Sequence, residues 1–312
     1  MYKAFFHLHR NPFELTPDPT CFVPTARHNE ALAALYYGVR RHKGFVAVTG
    51  EVGTGKTLLL RCLLRLLEES KDVSYAYVYN SRLSPTDFLH YILADFGIPA
   101  TGKTKGEALF DLGHFLIERS SKKMTTVLVV DEAHHLSEEL LEEIRLLSNL
   151  ETFDDKLLQI VLVGQPELDE KLDSAGLRQL KQRIALRTQL APLTVEEAKK
   201  YIEQRLQNAG AGENAGTIFP TQTLASIYKY SRGIPRLINA ICENALIAAY
   251  AQQTEVVGPE VIEDVAIELR LDIPASFDPG RTGSNNGAHG QVGTGPIRTR
   301  TGALKPHVVS EN

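Results

Sequence analysis

Residues 50–57 of this 312-residue chain follow the pattern Gly-x-x-x-x-Gly-Lys-Thr. A short apolar, β-branched run, residues 45–49, precedes the pattern, and residues 58–67, apolar on almost all sides, follow it. These flanks predict a buried parallel strand and a largely buried helix. A strand, a glycine-rich loop and a helix in this order are typical of a loop that binds a polyphosphate.

Such a loop holds phosphates mainly through its backbone. Its glycines allow a tight turn that points consecutive N–H groups inward, and the following helix adds its positive N-terminal end. The lysine, Lys56, is expected to reach the β- and γ-phosphates, and the Thr57 hydroxyl is expected to bind Mg²⁺. The flanking elements fit this interpretation as well as the pattern itself does.

The same pattern recurs letter for letter at residues 97–104. It follows residues 88–96, whose apolar side chains have helical spacing, so no strand leads into it. A glycine that ends a helix, a proline just beyond it and a loop into the next helix explain this second string without a ligand. We therefore predict that only residues 50–57 bind phosphate.

Polar side chains follow two later apolar runs. Residues 125–130 form a β-branched run that ends in Asp131 and Glu132, and residues 157–163 form a predicted fourth strand shortly before Gln165. In open α/β sheets, ligands bind at the carboxyl ends of the strands. Asp131 is expected to support Mg²⁺ directly or through water, Glu132 to activate the attacking water, and Gln165 to reach the γ-phosphate or that water.

Residues 131–134 also spell the Asp-Glu-Ala-His sequence of a helicase family. That family needs two tandem domains with further motifs, and the remainder of the sequence contains no second set. Membership of the helicase family is therefore not expected.

The order of predicted elements changes along the chain. Strands alternate with helices up to about residue 192, and helices alone follow, which predicts an α/β fold with a doubly wound, parallel five-stranded sheet and a small all-helical lid domain. A glycine-rich end without aromatic residues cannot bury enough surface to fold. The predicted segments are an extended N-terminal arm (1–27), a nucleotide-binding α/β domain (28–192), a helical lid (193–271) and a disordered tail (272–312).

The net charge of −4 gives no global basic field, so a nucleic-acid partner would have to contact a local patch. Candidates for such a patch are Arg40, Arg41, Lys43 and Lys181. No window reaches the roughly 18 apolar residues of a membrane span, and the N terminus lacks the pattern of a signal peptide. A cytoplasmic protein without a membrane span is expected.

Taken together, these motifs resemble the AAA+ ATPases. More narrowly, residues 11–19, 44–57, 159–168 (QIVLVGQPEL), 177–184 (LRQLKQRI) and 231–239 (SRGIPRLIN) resemble the ExeA/GspA-like family. That family includes type II secretion and pilus-assembly ATPases and is related to the TniB/TnsC transposition ATPases. The resemblance covers about residues 1–270 and implies ATP and Mg²⁺ as ligands.

The resemblance also implies roles for individual residues. Arg236 is similar to the sensor 2 arginine of the lid, Gln165 to sensor 1, and Arg183 to the arginine finger that completes a neighbouring subunit's site, with Arg178 as the alternative. Asn80, after the second predicted strand, resembles the residue that holds the catalytic glutamate inactive until a partner binds. The implied catalytic residues are Glu132, Lys56, Arg183, Gln165 and Arg236, the implied nucleotide contacts are Gly50, Glu51, Val52, Gly53, Thr54, Gly55, Lys56, Thr57, Leu58 and Asp131, and the implied metal ligands are Thr57 and Asp131.

For function, the resemblance implies an ATPase that works as a homo-oligomer, a ring or filament, with ATP bound between subunits. Its work would be remodelling or assembly of a secretion, pilus or polysaccharide-export machine through protein partners, at the inner membrane only through those partners. The alternative is a DNA-binding, ATP-dependent transposition regulator, and a non-hydrolysing switch is disfavoured by the intact Glu132. Secretion members carry a transmembrane helix and a peptidoglycan-binding domain after the ATPase, and this sequence has neither, so direct cell-wall engagement is not expected.

Overall fold

The computed structural model describes residues 1–16, 18–79, 83–153 and 155–271, with the Glu213 side chain excepted. In this part of the chain, five parallel strands form one sheet in the order β2-β3-β4-β1-β5. The strands are β1 (Phe45–Gly50), β2 (Val73–Val78), β3 (Thr125–Val130), β4 (Gln159–Gly164) and β5 (Ile184–Leu190).

Helices cover both faces of this sheet, and they continue beyond it. The helices around the sheet are α2 (Ala26–Arg40), α3 (Lys56–Glu68), α4 (Pro85–Asp95), α5 (Lys105–Ser121), α6 (Glu138–Leu147), α7 (Glu167–Leu172) and α8 (Arg178–Arg183), and a short α1 (Tyr2–Phe5) opens the chain. The helices that follow the sheet are α9 (Val195–Asn208), α10 (Ala215–Ile218), α11 (Thr221–Ser231), α12 (Pro235–Ala251) and α13 (Pro259–Glu268).

The central strands β1, β3 and β4 have continuous apolar sequences because both of their faces are buried. Every residue of β1, β3 and β4 is buried, because helices pack on both faces of a parallel sheet. Val48, Val129 and Val163 face the side covered by α2 and α3, whereas Leu128 and Leu162 face the side covered by α4, α5 and α6. The edge strand β5 alternates between half-buried and exposed residues up to Leu190.

The helices after β5 form a second apolar core. Thr194 and Glu197 form a capping box at the start of α9, and Pro235 starts α12. The arm joins this core: Phe6 and Phe13 are buried in it. The arm is therefore not uniformly extended, since it contains α1 and a single 3₁₀ turn (Pro19–Cys21).

A buried arginine on α9 fixes the arm to the lid helices. Arg205 is 5% exposed and donates from Nε to the Pro12 carbonyl at 2.6 Å, from Nη1 to the Cys21 carbonyl at 3.1 Å and from Nη2 to the Glu14 carbonyl at 3.2 Å. Hydrogen bonds from a charged donor compensate the cost of burying the guanidinium. The segment between Pro12 and Cys21 is thereby held against α9.

The predicted doubly wound parallel sheet is confirmed. Strand β4 begins at Gln159 instead of residue 157. The chain before β5 forms a 3₁₀ turn (Ala175–Leu177) followed by the short α8. Within the described ranges, no helix is both long and apolar enough to cross a membrane. Asn80 and the predicted tail, 272–312, lie outside the described residues.

Candidate nucleotide-binding site

The first Gly-x-x-x-x-Gly-Lys-Thr string connects β1 to α3, as predicted. Gly53 and Gly55 have φ angles of 83° and 98°, in the left-handed region that residues with a Cβ adopt at a cost. Lys56 is the first residue of α3, so its backbone lies at the positive end of the helix. The strand therefore leads into a tight turn that depends on glycine, and the last residues of the turn begin a long helix.

Lys56 is folded back onto this loop. It is 6% exposed, and its Nζ donates to the carbonyl oxygens of Gly50 at 2.7 Å and Glu51 at 3.0 Å. Burial lowers its pKa, while the carboxylates of Glu132 and Asp131 act in the opposite direction. In the described part of the chain its hydrogen-bond partners are two neutral carbonyls, which a phosphate oxygen can replace with a gain in charge pairing.

The Asp131 carboxylate lies against the start of α3. It is 4% exposed, and Oδ2 accepts hydrogen bonds from the Thr57 hydroxyl at 3.2 Å and from the Tyr77 hydroxyl at 2.8 Å. Burial and the Asp131 charge raise the pKa of the Tyr77 hydroxyl, so it remains a donor at neutral pH. A carboxylate beside a threonine hydroxyl is a set of oxygen ligands suited to Mg²⁺.

Glu132 follows Asp131 in a strained backbone conformation. Its φ is 51°, and its N–H donates to Asp131 Oδ1 at 2.9 Å. Its Oε2 is buried and has no hydrogen-bond partner among the residues that the structure describes. Glu132 lines the same cleft as Lys56 and Gln165. Strained backbone and unsatisfied polar groups concentrate at functional sites.

Strand β4 lies between β1 and β3, which brings Gln165 to the same edge of the sheet as the loop and the acidic pair. The Gln165 backbone N–H donates to Nδ1 of His134 at 3.3 Å, and its side-chain amide lies 2.9 Å from Nε2 of that ring. Burial, followed by the neighbouring His135, lowers the pKa of His134. His134 therefore joins the turn after β3 to the end of β4.

The start of α12 lies on the other side of the cleft and packs on the loop. The Arg236 backbone N–H, at the start of α12, donates to the Gly53 carbonyl at 3.2 Å. A Cβ on Gly53 would lie 2.8 Å from Arg236 Cβ and 2.9 Å from Ile234 Cγ2, so the lid packs directly on the loop. The Arg236 side chain is exposed and lines the cleft, and Glu14 and Leu15 of the arm form part of its wall.

Sequence reasoning missed two residues that hold this site. His28 on α2 is 5% exposed; its Nε2 lies 3.0 Å from the Thr54 carbonyl, and its Nδ1 lies 2.8 Å from the Thr25 hydroxyl. Tyr77 is the other. The alternating pattern of β2 indicates a strand but not its pairing with β3, which places Tyr77 beside Val129 and near Asp131. The sequence carries no signal for the His28 contact.

The two finger candidates lie away from the lining of this chain's cleft. The Arg183 guanidinium donates to the Ser148 hydroxyl, and Arg178 is exposed beside Lys181 on the rim of a separate surface hollow.

The candidate basic patch for DNA is largely engaged in contacts within the chain. Arg40 pairs with Asp72 at 2.8 Å, Lys181 pairs with Asp173 at 2.9 Å, and Lys43 lies over the Tyr37 ring at 5.9 Å from its centroid. Arg41 is exposed.

The residues at the cleft fit a nucleotide polyphosphate with Mg²⁺. The fit rests on glycines in the left-handed region, on a buried ammonium satisfied by two replaceable carbonyls, and on the Thr57 and Asp131 oxygen pair. Together with the strand order, these features are those of a P-loop protein of the AAA+ class.

Comparison with known proteins agrees with this class and narrows it. Residues 39–172 match the family described as an AAA domain. Over 254 residues, 81% of the chain, the sequence is 46% identical to general secretion pathway protein A of Aeromonas hydrophila, and the match spans 45% of that protein's length. The chain is a GspA-like AAA+ protein, as the motifs predict.

Solved structures show the same fold at low sequence identity. The Aeropyrum pernix ORC1 protein in complex with DNA matches with a TM-score of 0.62 and 21% identity, over 83% of this chain and 69% of that one. Cdc6p of Pyrobaculum aerophilum matches with a TM-score of 0.60 and 19% identity, over 85% of this chain and 70% of that one. The Thermotoga maritima RuvB Holliday junction branch migration motor matches with a TM-score of 0.53 and 17% identity, over 80% of this chain and 71% of that one. At such identities the likeness concerns the fold alone.

Proposed function

We propose that this protein binds and hydrolyses Mg-ATP at the cleft between the P-loop and the lid. The observation that carries the proposal is the meeting of four groups at one edge of the sheet: the buried Lys56, the Thr57 and Asp131 pair, Glu132 and Gln165. AAA+ proteins of this class are generally ATPases, which supports hydrolysis over simple binding.

In this proposal the polyphosphate lies on the loop from Gly50 to Leu58, and Lys56 leaves its two carbonyls for phosphate oxygens. Thr57 and Asp131 hold Mg²⁺, which supplies charge neutralisation of the phosphates when it is bound. Glu132 takes a proton from the attacking water, and its Oε2 accepts no hydrogen bond from the residues that the structure describes. Gln165 and Arg236 stabilise the charge on the γ-phosphate.

The proposed active site is completed by a second copy of the chain. Arg183 supplies the arginine finger, with Arg178 as the alternative, and an arginine finger contributes about 10³ to 10⁵ in rate. The isolated subunit is then a poor ATPase, and assembly of a ring or filament turns hydrolysis on.

The proposed work of the ATPase is remodelling or assembly of an envelope machine for secretion, pilus formation or polysaccharide export. The supporting observation is the 46% identity to general secretion pathway protein A. The chain spans less than half of that relative's length, so its partners are a matter for experiment. We propose a cytoplasmic protein that reaches the inner membrane through protein partners. The comparisons do not favour the alternative, a DNA-binding transposition regulator. Three of the four basic residues considered for a DNA-binding patch also have partners within the chain.

Steady-state ATP turnover tests hydrolysis and subunit sharing together. Turnover per subunit should rise with protein concentration, and Glu132→Gln should lower it by about 10² to 10⁴. Duplex DNA at fixed salt should leave turnover unchanged. Strong stimulation by DNA would favour the transposition-like function instead. No turnover at any concentration would contradict the proposal that the chain alone forms a working site.

Subunit mixing tests the arginine finger directly. Lys56→Ala and Arg183→Ala proteins should each be inactive alone. Their mixture should recover part of the turnover, because an intact Lys56 from one subunit meets an intact Arg183 from another. Arg178→Ala is the matched control. If turnover recovered when Lys56→Ala protein was mixed with Arg178→Ala protein but not when it was mixed with Arg183→Ala protein, the finger role would belong to Arg178.

A further inference from the structure

His134 is held in a fixed position at the end of two adjacent strands. It lies in the 3₁₀ turn Ala133–His135 and is 9% exposed. Lys171 Nζ donates to the carbonyls of His134 and Leu136, both at 2.7 Å. A Cβ on Gly164 would lie only 3.2 Å from the His134 backbone nitrogen, so this turn also packs closely on the end of β4. The ring cannot easily change its place relative to Gln165.

Both ring nitrogens of His134 meet the same residue. Nδ1 accepts the Gln165 backbone N–H at 3.3 Å, and Nε2 lies 2.9 Å from the end of the Gln165 side chain. A backbone N–H can only donate, so Nδ1 must carry a lone pair. In a neutral imidazole the proton then lies on Nε2.

The competing tautomer would put the proton on Nδ1, towards Glu132. Glu132 Oε2 lies 3.4 Å from Nδ1, yet this oxygen has no hydrogen-bond partner in the described part of the chain, so the direction of approach does not suit a hydrogen bond. The lowered pKa of His134, which burial causes first and His135 second, disfavours the doubly protonated ring.

A proton on Nε2 requires an acceptor at the Gln165 side chain. The two ends of a primary amide have nearly the same shape, and their assignment follows from the hydrogen bonds they make. The structure places the amide nitrogen 2.9 Å from Nε2, but two donors cannot share a hydrogen bond, so the amide is rotated by 180° and its oxygen accepts the Nε2 proton. The NH₂ group is then the end left for the cleft that Gln165 lines.

We propose that His134 is a positioning residue that sets the direction of the Gln165 amide, with the oxygen on the imidazole and the NH₂ group presented to the nucleotide. This inference rests on the proposed function, because it makes Gln165 a donor to a γ-phosphate oxygen. The opposite orientation would present an oxygen to the phosphate, which repels it. The histidine thus selects a nucleoside triphosphate over a diphosphate at the one position where the two ligands differ.

The first test is the tautomer itself, in the nucleotide-free full chain. Long-range ¹H–¹⁵N correlation spectra of ¹⁵N-labelled protein distinguish a protonated Nε2 from a protonated Nδ1, and a His134→Gln variant identifies the signals. An Nε2–H tautomer near pH 7.5 is expected, and an Nδ1–H tautomer or a charged ring overturns the proposal. This measurement does not depend on ATP hydrolysis.

The second test uses Gln165→Glu, which replaces the NH₂ group with an oxygen while keeping the side chain's length. ATP affinity and turnover should each fall about tenfold or more, whereas ADP affinity should change by less than about twofold. Full turnover in Gln165→Glu overturns the proposal. Parental protein that binds no ATP would instead refute the proposed function and leave the tautomer result standing.

The third test separates positioning from simple stability. His134→Ala should lower turnover to about the level of Gln165→Ala, and the double variant should be no worse than either single variant, because the two residues act as one unit. His114→Ala changes an exposed histidine on α5 that does not line the cleft, and it is the matched control with parental turnover. Additive losses in the double variant would contradict the proposal.

Discussion

Two stretches of this molecule share the pattern Gly-x-x-x-x-Gly-Lys-Thr and differ in everything around it. The first connects β1 to α3, and the second connects α4 to α5. Gly97 ends α4 in the left-handed region with φ 76°, and Thr104 caps α5 in a capping box with Glu107. The same letters therefore build a phosphate-type loop after a strand and a helix connection after a helix.

The polar groups of the two strings are also used differently. Lys103 pairs with Asp111, and the Thr104 hydroxyl donates to Glu107 at 2.8 Å, so local carboxylates already satisfy both side chains. Lys56 donates to two neutral carbonyls, and Thr57 donates to the buried Asp131. A sequence motif predicts a site only when the surrounding elements leave its charged groups available to a ligand.

The largest expected difference concerns the acids beside the two strings. Glu132→Gln should lower ATP turnover by about 10² to 10⁴ because it removes the proposed general base, while nucleotide affinity is retained. Glu107→Gln, the matched change beside the second string, should leave turnover unchanged, since glutamine also serves in a capping box. Steady-state phosphate release measures both. Equal losses in the two variants would remove the distinction between the strings.

The next largest expected difference is in nucleotide affinity, and it concerns the lysines of the two strings, Lys56 and Lys103. Lys56→Ala should weaken binding of a fluorescent ATP analogue by about 100-fold, because a charged hydrogen bond to phosphate is worth up to about 3 kcal/mol. Lys103→Ala removes a partly exposed ion pair and should change affinity by less than about twofold. Weaker binding in Lys103→Ala would indicate that the second string also contacts nucleotide.

A comparison of glycines isolates the contribution of the lid. Gly53 and Gly102 both have positive φ, so alanine at either costs about 1 kcal/mol of stability. A Cβ at Gly102 meets open space, whereas at Gly53 it meets the lid residues Ile234 and Arg236. Gly53→Ala should therefore lower the melting temperature more and should also weaken ATP binding. Equal melting temperatures would show that the lid does not pack on the loop in solution.

The smallest expected effect concerns the Tyr77 hydroxyl, which donates to the Asp131 carboxylate. Tyr77→Phe removes one hydrogen bond, worth about 1 kcal/mol, so the Mg²⁺ concentration at half-maximal turnover should rise about fivefold. Tyr75→Phe is the control on the same strand, because the Tyr75 hydroxyl bonds to the exposed Glu68 instead. An unchanged Mg²⁺ requirement in Tyr77→Phe would mean that the Thr57 hydroxyl and the Glu132 N–H orient the carboxylate without Tyr77.

The parts of the fold that could be predicted are those written locally in the sequence. The buried strands appear as β-branched runs, the capping box at Thr194 marks the start of α9, and the strand before Gly50 separates the true loop from the second string. The contacts that could not be predicted join distant segments. Tyr77 to Asp131, His28 to Thr54 and Arg205 to Pro12 depend on strand order and on how the arm packs against the lid, and no local pattern encodes either.

Hydrogen exchange of the two strings in one sample tests the central claim most directly. Glu132→Gln protein would be exchanged with and without Mg-ATP, and peptides covering residues 50–58 and 97–104 would be followed by mass spectrometry. Mg-ATP should slow exchange across residues 50–58 and leave residues 97–104 unchanged. Slowing across the second string, or across neither, would contradict the assignment of the nucleotide to the loop between β1 and α3.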